Sequence, residues 1–252
     1  MAKTSKTTGR SRRWGMVIDL NRCIGCQGCA VACKIKNNLP EGEWWNRVIT
    51  VGGDQVDVVG GSVDHPSMYF LPLACQHCAE PACLPVCPTG ATFQREDGIV
   101  GIHSELCIGC RSCIQACPYG VRIFNERPAT RPTDHALGSS AVVSGVRGTV
   151  EKCDFCTDRI DAGALPVCIE SCPARARFVG DLNDPDSEVS RLIRDEGAVQ
   201  LQPEMGTNPS VYYIPVQHRM PRQTGLDFIR EEPTSEYSST YPQKDVAEAF
   251  NR

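Results

Sequence analysis

Sixteen cysteines in four groups of four constrain this 252-residue chain more than any other feature of its sequence. Each group begins with two cysteines separated by two residues and ends with two cysteines separated by three residues. A proline follows the last cysteine of groups two, three and four, whereas Lys34 takes that position in group one. Because the pattern recurs, we treat it as an internal repeat whose copies form similar local structures. In chain order the groups are Cys23, Cys26, Cys29, Cys33; Cys75, Cys78, Cys83, Cys87; Cys107, Cys110, Cys113, Cys117; and Cys153, Cys156, Cys168, Cys172.

This spacing favours iron–sulfur ligands over the two other common uses of clustered cysteines. In a secreted chain the cysteines could form disulfides, and two separated C-x2-C pairs could bind zinc, an alternative open to group four alone. Groups one and three are too crowded for a zinc tetrahedron, because their spacing is C-x2-C-x2-C-x3-C. In two-cluster bacterial ferredoxins such a run gives three thiolates to one [4Fe–4S] cluster, and its fourth cysteine, which precedes a proline, binds the other cluster. The four groups therefore predict four [4Fe–4S] clusters.

Because each fourth cysteine crosses to another group, the groups are expected to pair, and we weigh two pairings. The segment between groups two and three (88–106) is short and contains Asp97-Gly98, a hairpin signal, so these two groups are expected to form a compact unit. Groups one and four then pair around that unit in a nested arrangement, whereas the alternative pairs group one with two and group three with four. In the nested arrangement the ligand sets are Cys23, Cys26, Cys29 and Cys172 for cluster A; Cys153, Cys156, Cys168 and Cys33 for cluster B; Cys75, Cys78, Cys83 and Cys117 for cluster C; and Cys107, Cys110, Cys113 and Cys87 for cluster D.

The sequence between the cysteines predicts an α+β, loop-rich fold of two nested units that resemble 2[4Fe–4S] bacterial ferredoxins, with short hairpins and an extended C-terminal arm. The predicted division is a basic N-terminal arm (1–13), an outer unit (14–74 and 118–216), an inner unit (75–117) and a polar C-terminal tail (217–252). The predicted elements are strands at 14–20, 121–124 and 177–179, hairpins of 47–51 with 55–59 and of 91–94 with 99–102, helices at 29–37 and 187–196, and a loop at 128–147.

Charge and hydropathy argue against two classes of partner. The net charge of −4 provides no basic field for nucleic acid. No apolar run approaches the roughly 20 residues that a membrane span needs. Arg12-Arg13 resembles part of a twin-arginine export signal, but the apolar stretch at 14–18 is shorter than the about 7–15 residues of a signal. We therefore interpret the N-terminus as a solvated basic arm.

Two polar residues adjoin the predicted ligands. His77 lies between Cys75 and Cys78. Because four cysteines already serve each cluster, His77 is expected to support a cluster or to pack in the core, and not to bind iron. Lys152 precedes Cys153 and is expected either to raise a cluster potential, to contact a partner or to lie on the surface.

The cysteine motifs resemble those of a known family. The segments CIGCQGCAVAC (23–33), CQHCAEPAC (75–83), CIGCRSC (107–113) and KCDFC (152–156) look like the electron-transfer subunit of molybdopterin oxidoreductases, of the DMSO, polysulfide and arsenate reductase type. The resemblance covers residues 14–181. It implies the nested pairing and, because group three keeps all its cysteines, four [4Fe–4S] clusters.

The same resemblance implies an electron relay and not an enzyme. A catalytic subunit with a molybdenum or tungsten pterin site is expected at one end, and a quinone-reacting membrane subunit or a soluble carrier at the other. The chain is expected in a membrane-associated complex, exported as the passenger of a partner with a twin-arginine signal, or alternatively in the cytoplasm. The alternative function is a free-standing multi-cluster ferredoxin, or an electron carrier of the hydrogenase or formate dehydrogenase type.

Overall fold

The computed structural model describes residues 11–53, 58–62, 66–131, 135–140, 142 and 144–216. Its short helices and short strands confirm the predicted mixture of helix and strand. The strands are β1 (Trp14–Asp19), β2 (Asn46–Val51), β3 (Gly60–Gly61), β4 (Pro66–Ser67), β5 (Tyr69–Ala74), β6 (Thr92–Gln94), β7 (Val100–Ile102), β8 (Ile123–Phe124), β9 (Val150–Glu151), β10 (Arg177–Asp181), β11 (Val199–Gln200) and β12 (Val211–Ile214). The helices are α1 (Gly28–Lys36), α2 (Ser112–Gln115), α3 (Thr157–Asp161), α4 (Val167–Glu170) and α5 (Glu188–Asp195), with 3₁₀ turns at Ser104–Leu106 and Pro203–Met205.

A four-stranded sheet in the order β10-β1-β12-β11 forms the largest sheet of the described chain. β1 pairs antiparallel with β10 and parallel with β12. Because side chains alternate between the two faces of a strand, Val17 points to one face and Met16 and Ile18 to the other. Val17 packs with Val189 of α5 and Ile214 of β12, so α5 covers the first face.

The opposite face of this sheet packs against the cysteine loops. Met16 and Ile18 share a buried apolar cluster with Leu71 of β5, Ile99 and Phe155. Partly buried cysteines from groups two, three and four pack against the same cluster: Cys75, Cys78, Cys117 and Cys168. The hydrophobic core and the predicted ligands therefore occupy one interior, and the sheet fixes the positions of the loops.

Most elements with a strong local signal form where the sequence predicts them. β1, α1, β10 and α5 match the predicted strand or helix to within a few residues, and β6 and β7 form the predicted hairpin. α5 begins after Ser187, whose Oγ accepts the N–H of Ser190 at 3.2 Å, as an N-cap does. The strand predicted at 121–124 is limited to β8, and the described part of 128–147 has neither helix nor strand.

The predicted hairpin of 47–51 with 55–59 is wrong. β2 pairs antiparallel with β5, while Val58 and Val59, the described residues of the second segment, are outside any strand and are 43% and 52% exposed. Leu71 of β5 is 1% exposed. Pairing with β5 therefore buries apolar side chains that a local hairpin would leave in water.

The predicted N-terminal arm and C-terminal tail lie largely outside the residues that the structure describes. The N-terminal arm is described only from residue 11, and the tail (217–252) lies outside the described residues. No helix in the described part of the chain combines the length and the apolar character that crossing a membrane requires.

Candidate metal centres

All sixteen cysteines are free thiols, and most of them line three cavities. Two of the cavities take three cysteines from one group and a fourth from another, and the third cavity has such a set together with Cys75 of group two. We call the cavities site B (Cys33, Cys153, Cys156 and Cys168), site C (Cys75, Cys78, Cys83 and Cys117) and site D (Cys87, Cys107, Cys110 and Cys113).

The remaining cysteines lie on or near α1 and α4, which pack against each other. We call them site A (Cys23, Cys26, Cys29 and Cys172). Burial raises the pKa of Cys23, and the neighbouring Cys29 and Cys172 add to that rise. A Cβ atom placed on Gly28 would lie 3.6 Å from the carbonyl oxygen of Ser171, so the loop of group one touches the end of group four. These contacts place cysteines from the two groups side by side.

Each site has one thiol that comes from a different group than the other three, and this thiol is always the last cysteine of its own group. It is Cys172 in site A, Cys33 in site B, Cys117 in site C and Cys87 in site D. The alternative pairing of groups one with two needs Cys33 beside the thiols of group two. Burial raises the pKa of Cys33, and the group-four thiols of Cys168 and Cys156 raise it further. Cys75 of group two also lines the cavity of Cys33, so the nested arrangement stays a prediction, with group-four thiols as the neighbours that favour it.

The four C-x2-C loops share one backbone turn. The residue before the second cysteine has a left-handed conformation in each loop, with φ of 68° at Gly25, 43° at His77, 67° at Gly109 and 64° at Phe155. Glycine adopts this conformation without strain, whereas other residues reach it at a cost. His77 and Phe155 also pack edge to face, with ring centroids 4.9 Å apart. The repeat seen in the sequence is therefore a repeat of structure, and two of its copies replace glycine by packed rings.

Backbone N–H groups donate to several of the thiols. The N–H groups of Thr92, Val150, Phe155 and Ala176 lie 3.3–3.4 Å from the sulfurs of Cys87, Cys107, Cys153 and Cys172 respectively. Hydrogen bonds of this kind favour the thiolate form and tune the potential of a bound cluster.

The thiol pKa values show how the sites suit a cationic metal group. Burial and the neighbouring thiols Cys75, Cys117 and Cys83 raise the pKa of Cys78 to about 12. Burial would also raise the pKa of Cys75, but His77, Lys152 and Arg122 lower it to about 5. Crowded thiols resist ionisation until positive charge is present, and coordinated iron supplies that charge. Four thiols around one cavity, with N–H donors at sulfur, fit a [4Fe–4S] cluster.

His77 and Lys152, for which the sequence allowed more than one role, have defined surroundings in the structure. The ring of His77 is 1% exposed, and its Nδ1 accepts the N–H of Val100 at 3.1 Å, so this nitrogen is engaged with backbone. Lys152 is 4% exposed, so the surface alternative for this residue is wrong.

Sequence reasoning missed two arginines that reach the thiols. Arg122 Nη2 donates to Cys83 Sγ at 2.8 Å, and Arg177 Nη2 donates to Cys29 Sγ at 3.3 Å. A signal was present, because each arginine lies five residues after the last cysteine of its group, Cys117 or Cys172. The repeat therefore also extends beyond the cysteines.

A close contact beneath site D leads to a testable prediction. Gly109 and Gly90 have nearly equal φ values of 67° and 68°, but a Cβ on Gly109 would overlap the carbonyl oxygen of Gly148, whereas a Cβ on Gly90 meets nothing within 4 Å. Gly109→Ala should lower the free energy of unfolding by about 1–2 kcal/mol because of the left-handed backbone, and by a further ~1–3 kcal/mol because of overpacking. Gly90→Ala should lower it only by the backbone contribution. Denaturant unfolding of the two cluster-loaded variants measures the difference, and equal losses would contradict the contact.

Comparisons with known proteins agree with this chemistry. A family model described as a 4Fe-4S dicluster domain matches residues 66–131 and 141–182, and a 4Fe-4S binding domain model matches residues 20–42. The chain is 49% identical over 210 residues to a putative dimethyl sulfoxide reductase iron–sulfur subunit of Halobacterium salinarum, covering 80% of this chain and 78% of the relative. It is 40% identical over 204 residues to a tetrathionate reductase subunit of Salmonella typhimurium (80% and 72% covered). It is 38% identical over 232 residues to the iron–sulfur subunit of arsenate respiratory reductase of Shewanella sp. (80% and 96% covered).

Proposed function

The chain belongs to the family of 4Fe–4S iron–sulfur electron-transfer subunits that includes these reductase subunits, and we propose that it relays electrons through four [4Fe–4S] clusters held in sites A to D. Its partners in this proposal are a catalytic subunit with a molybdenum or tungsten pterin site, and a membrane quinone-reacting subunit or a soluble carrier. Substrate chemistry takes place on the catalytic partner. The clusters supply one-electron redox chemistry, while this chain spaces them, binds them and excludes water.

The observation that carries the proposal is the continuity of the sites. Arg122 lines both site C and site D. Cys75 and Gln76 line both site B and site C. Arg177 lines site B and donates to Cys29 of site A. The sites therefore follow one another in the order A, B, C, D, which suits a relay with one entrance and one exit.

The two ends of this series are the accessible ones. Cys26 of site A and Cys110 of site D are the exposed members of the sixteen cysteines. Beside them Ile24 is 62% exposed and Ile108 is 66% exposed. An apolar side chain next to an exposed ligand is suited to a protein interface, because partner contact removes both from water. We propose that one partner docks at each end.

We also propose where the chain works. It reaches a membrane-associated complex together with its catalytic partner, either exported as the passenger of a twin-arginine signal on that partner or retained on the cytoplasmic side. Cell fractionation of the tagged chain, with and without the partner's gene, checks this. A chain that fractionates as a free protein while the partner is present would contradict it.

Anaerobic purification of a tagged chain from its host tests the proposed function. A large subunit containing molybdenum or tungsten should co-purify with it. Ile24→Lys and Ile108→Lys should each release a different partner, because each places a charge at one docking surface, while both variants keep their iron. Leu137→Lys changes a 53% exposed leucine outside the cysteine loops of sites A and D and should release neither. Recovery of a fully loaded chain without any large molybdenum or tungsten subunit would overturn the proposal in favour of a free-standing ferredoxin.

A further inference from the structure

Three basic side chains are buried among the cysteine sites. Arg122 and Arg177 are each 5% exposed, and Lys152 is 4% exposed. Within the described residues, none of the three forms an ion pair with a carboxylate, whereas the buried Lys36 pairs with Asp158. A buried charge without a partner is strongly destabilising. Arg122 and Arg177 instead donate to cysteine sulfurs, and Lys152 donates to backbone carbonyl groups of two cysteine sites.

Arg122 lies between sites C and D. Its Nη2 donates to Cys83 of site C at 2.8 Å, and its Nη1 donates to Thr92 Oγ1 at 3.2 Å. The same side chain lines the site D cavity with Cys113. One guanidinium therefore lies beside the thiols of both sites.

Lys152 lies between sites B and C. Its Nζ donates to the carbonyl oxygen of Cys153, at 2.9 Å, and to that of Val100. Cys153 lines site B and Val100 lines site C. The two carbonyl groups hold the ammonium where the sites adjoin.

Arg177 lies between sites A and B. Its Nη2 donates to Cys29 of site A at 3.3 Å and to Asn46 Oδ1 at 3.2 Å. Its side chain also lines the site B cavity beside Cys168. Because Arg177 begins β10, which pairs with β1, the largest sheet of the described chain holds this cation in place.

We propose that the buried cations alternate with the clusters, in the order A, Arg177, B, Lys152, C, Arg122, D, and that each cation stabilises the reduced state of the two clusters beside it. This inference rests on the proposed function, because it needs clusters in all four sites. A cluster with four thiolates is an anion, and reduction by one electron makes it more negative. A fixed cation in a low-dielectric interior therefore favours reduction, and it weakens the repulsion between neighbouring reduced clusters.

Redox titration of the full-length, cluster-loaded chain, followed by EPR, tests the inference through a pairwise pattern. Arg177→Met should lower the potentials of clusters A and B, Lys152→Met those of B and C, and Arg122→Met those of C and D. The expected size is about a tenfold fall in the ratio of reduced to oxidised cluster at a fixed solution potential, equivalent to 59 mV for a one-electron couple. Clusters B and C should thus respond to two substitutions each, and A and D to one each.

Charge-conserving variants and a control separate charge from structure. Arg177→Lys, Lys152→Arg and Arg122→Lys should keep the potentials near those of the unmodified chain. Arg47→Met removes an arginine of β2 that donates to the carbonyl oxygen of Gly120 and lines none of the three cavities, so it should not produce the pairwise pattern. If a methionine variant fails to hold clusters while its charge-conserving counterpart is loaded, the need for charge is supported.

Three outcomes would overturn the inference. They are unchanged potentials in the methionine variants, equal shifts of all four clusters, and failure of both the methionine and the charge-conserving variants to load. An unmodified chain that holds fewer than four clusters would instead overturn the proposed function, so the two failures are distinguishable.

Discussion

Removal of the iron–sulfur clusters is expected to unfold this chain. The thiols of Cys75, Cys78, Cys117 and Cys168 pack against the main hydrophobic cluster, so emptying the sites opens the core itself. Outside the four-stranded sheet, the strands of the described residues form only two-stranded pairs. Such pairs are marginally stable in water without further packing. Cluster binding should therefore supply much of the free energy of folding, as structural metals do in small domains.

Thermal unfolding of the iron-free chain, followed by circular dichroism, checks this expectation. Iron is removed anaerobically with a chelator, and a mock-treated chain serves as the control. The control should melt cooperatively, the iron-free chain should show no cooperative transition, and reconstitution with iron and sulfide should restore it. A cooperative, native-like melt of the iron-free chain would contradict the coupling of cluster binding to folding.

The features that could be predicted from the sequence are those encoded locally. The C-x2-C spacing confines cysteine pairs to one turn, and that turn recurs with a left-handed residue at Gly25, His77, Gly109 and Phe155. Asp97-Gly98 specifies the hairpin of β6 and β7, and Ser187 caps α5. In each case a few neighbouring residues determine the backbone, so no distant partner is needed.

The features that could not be predicted depend on distant parts of the chain. β2 pairs with β5 because Leu71 and its neighbours offer more apolar surface than the nearby 55–59. β12 joins β1 in parallel from the far end of the described chain, and no local signal specifies that contact. The sequence left open whether Lys152 lies on the surface or near a cluster, and its ammonium is held inside by the carbonyl groups of Val100 and Cys153. A buried cation can interact with the cysteine sulfurs of two sites only after folding has brought those sites together.

Two matched double substitutions are expected to damage different numbers of clusters. Cys33→Ala with Cys168→Ala removes cysteines from groups one and four, which in our proposal bind the same cluster, B. Cys33→Ala with Cys29→Ala removes two cysteines from group one alone, which in our proposal bind clusters B and A. Both variants lose two thiols, and both lose Cys33. They differ only in whether the second cysteine removed is Cys168 of group four or Cys29 of group one. The first should leave three clusters intact, whereas the second should leave two.

The most direct test of the nested relay is the count of intact [4Fe–4S] signals in these two variants, measured by EPR after full reduction. The account predicts three in the Cys33 and Cys168 variant and two in the Cys33 and Cys29 variant, against four in the unmodified chain. The reverse result, with three in the variant of group one alone and two in the variant that spans groups one and four, would mean that each group binds its own cluster. That result would contradict the nested arrangement.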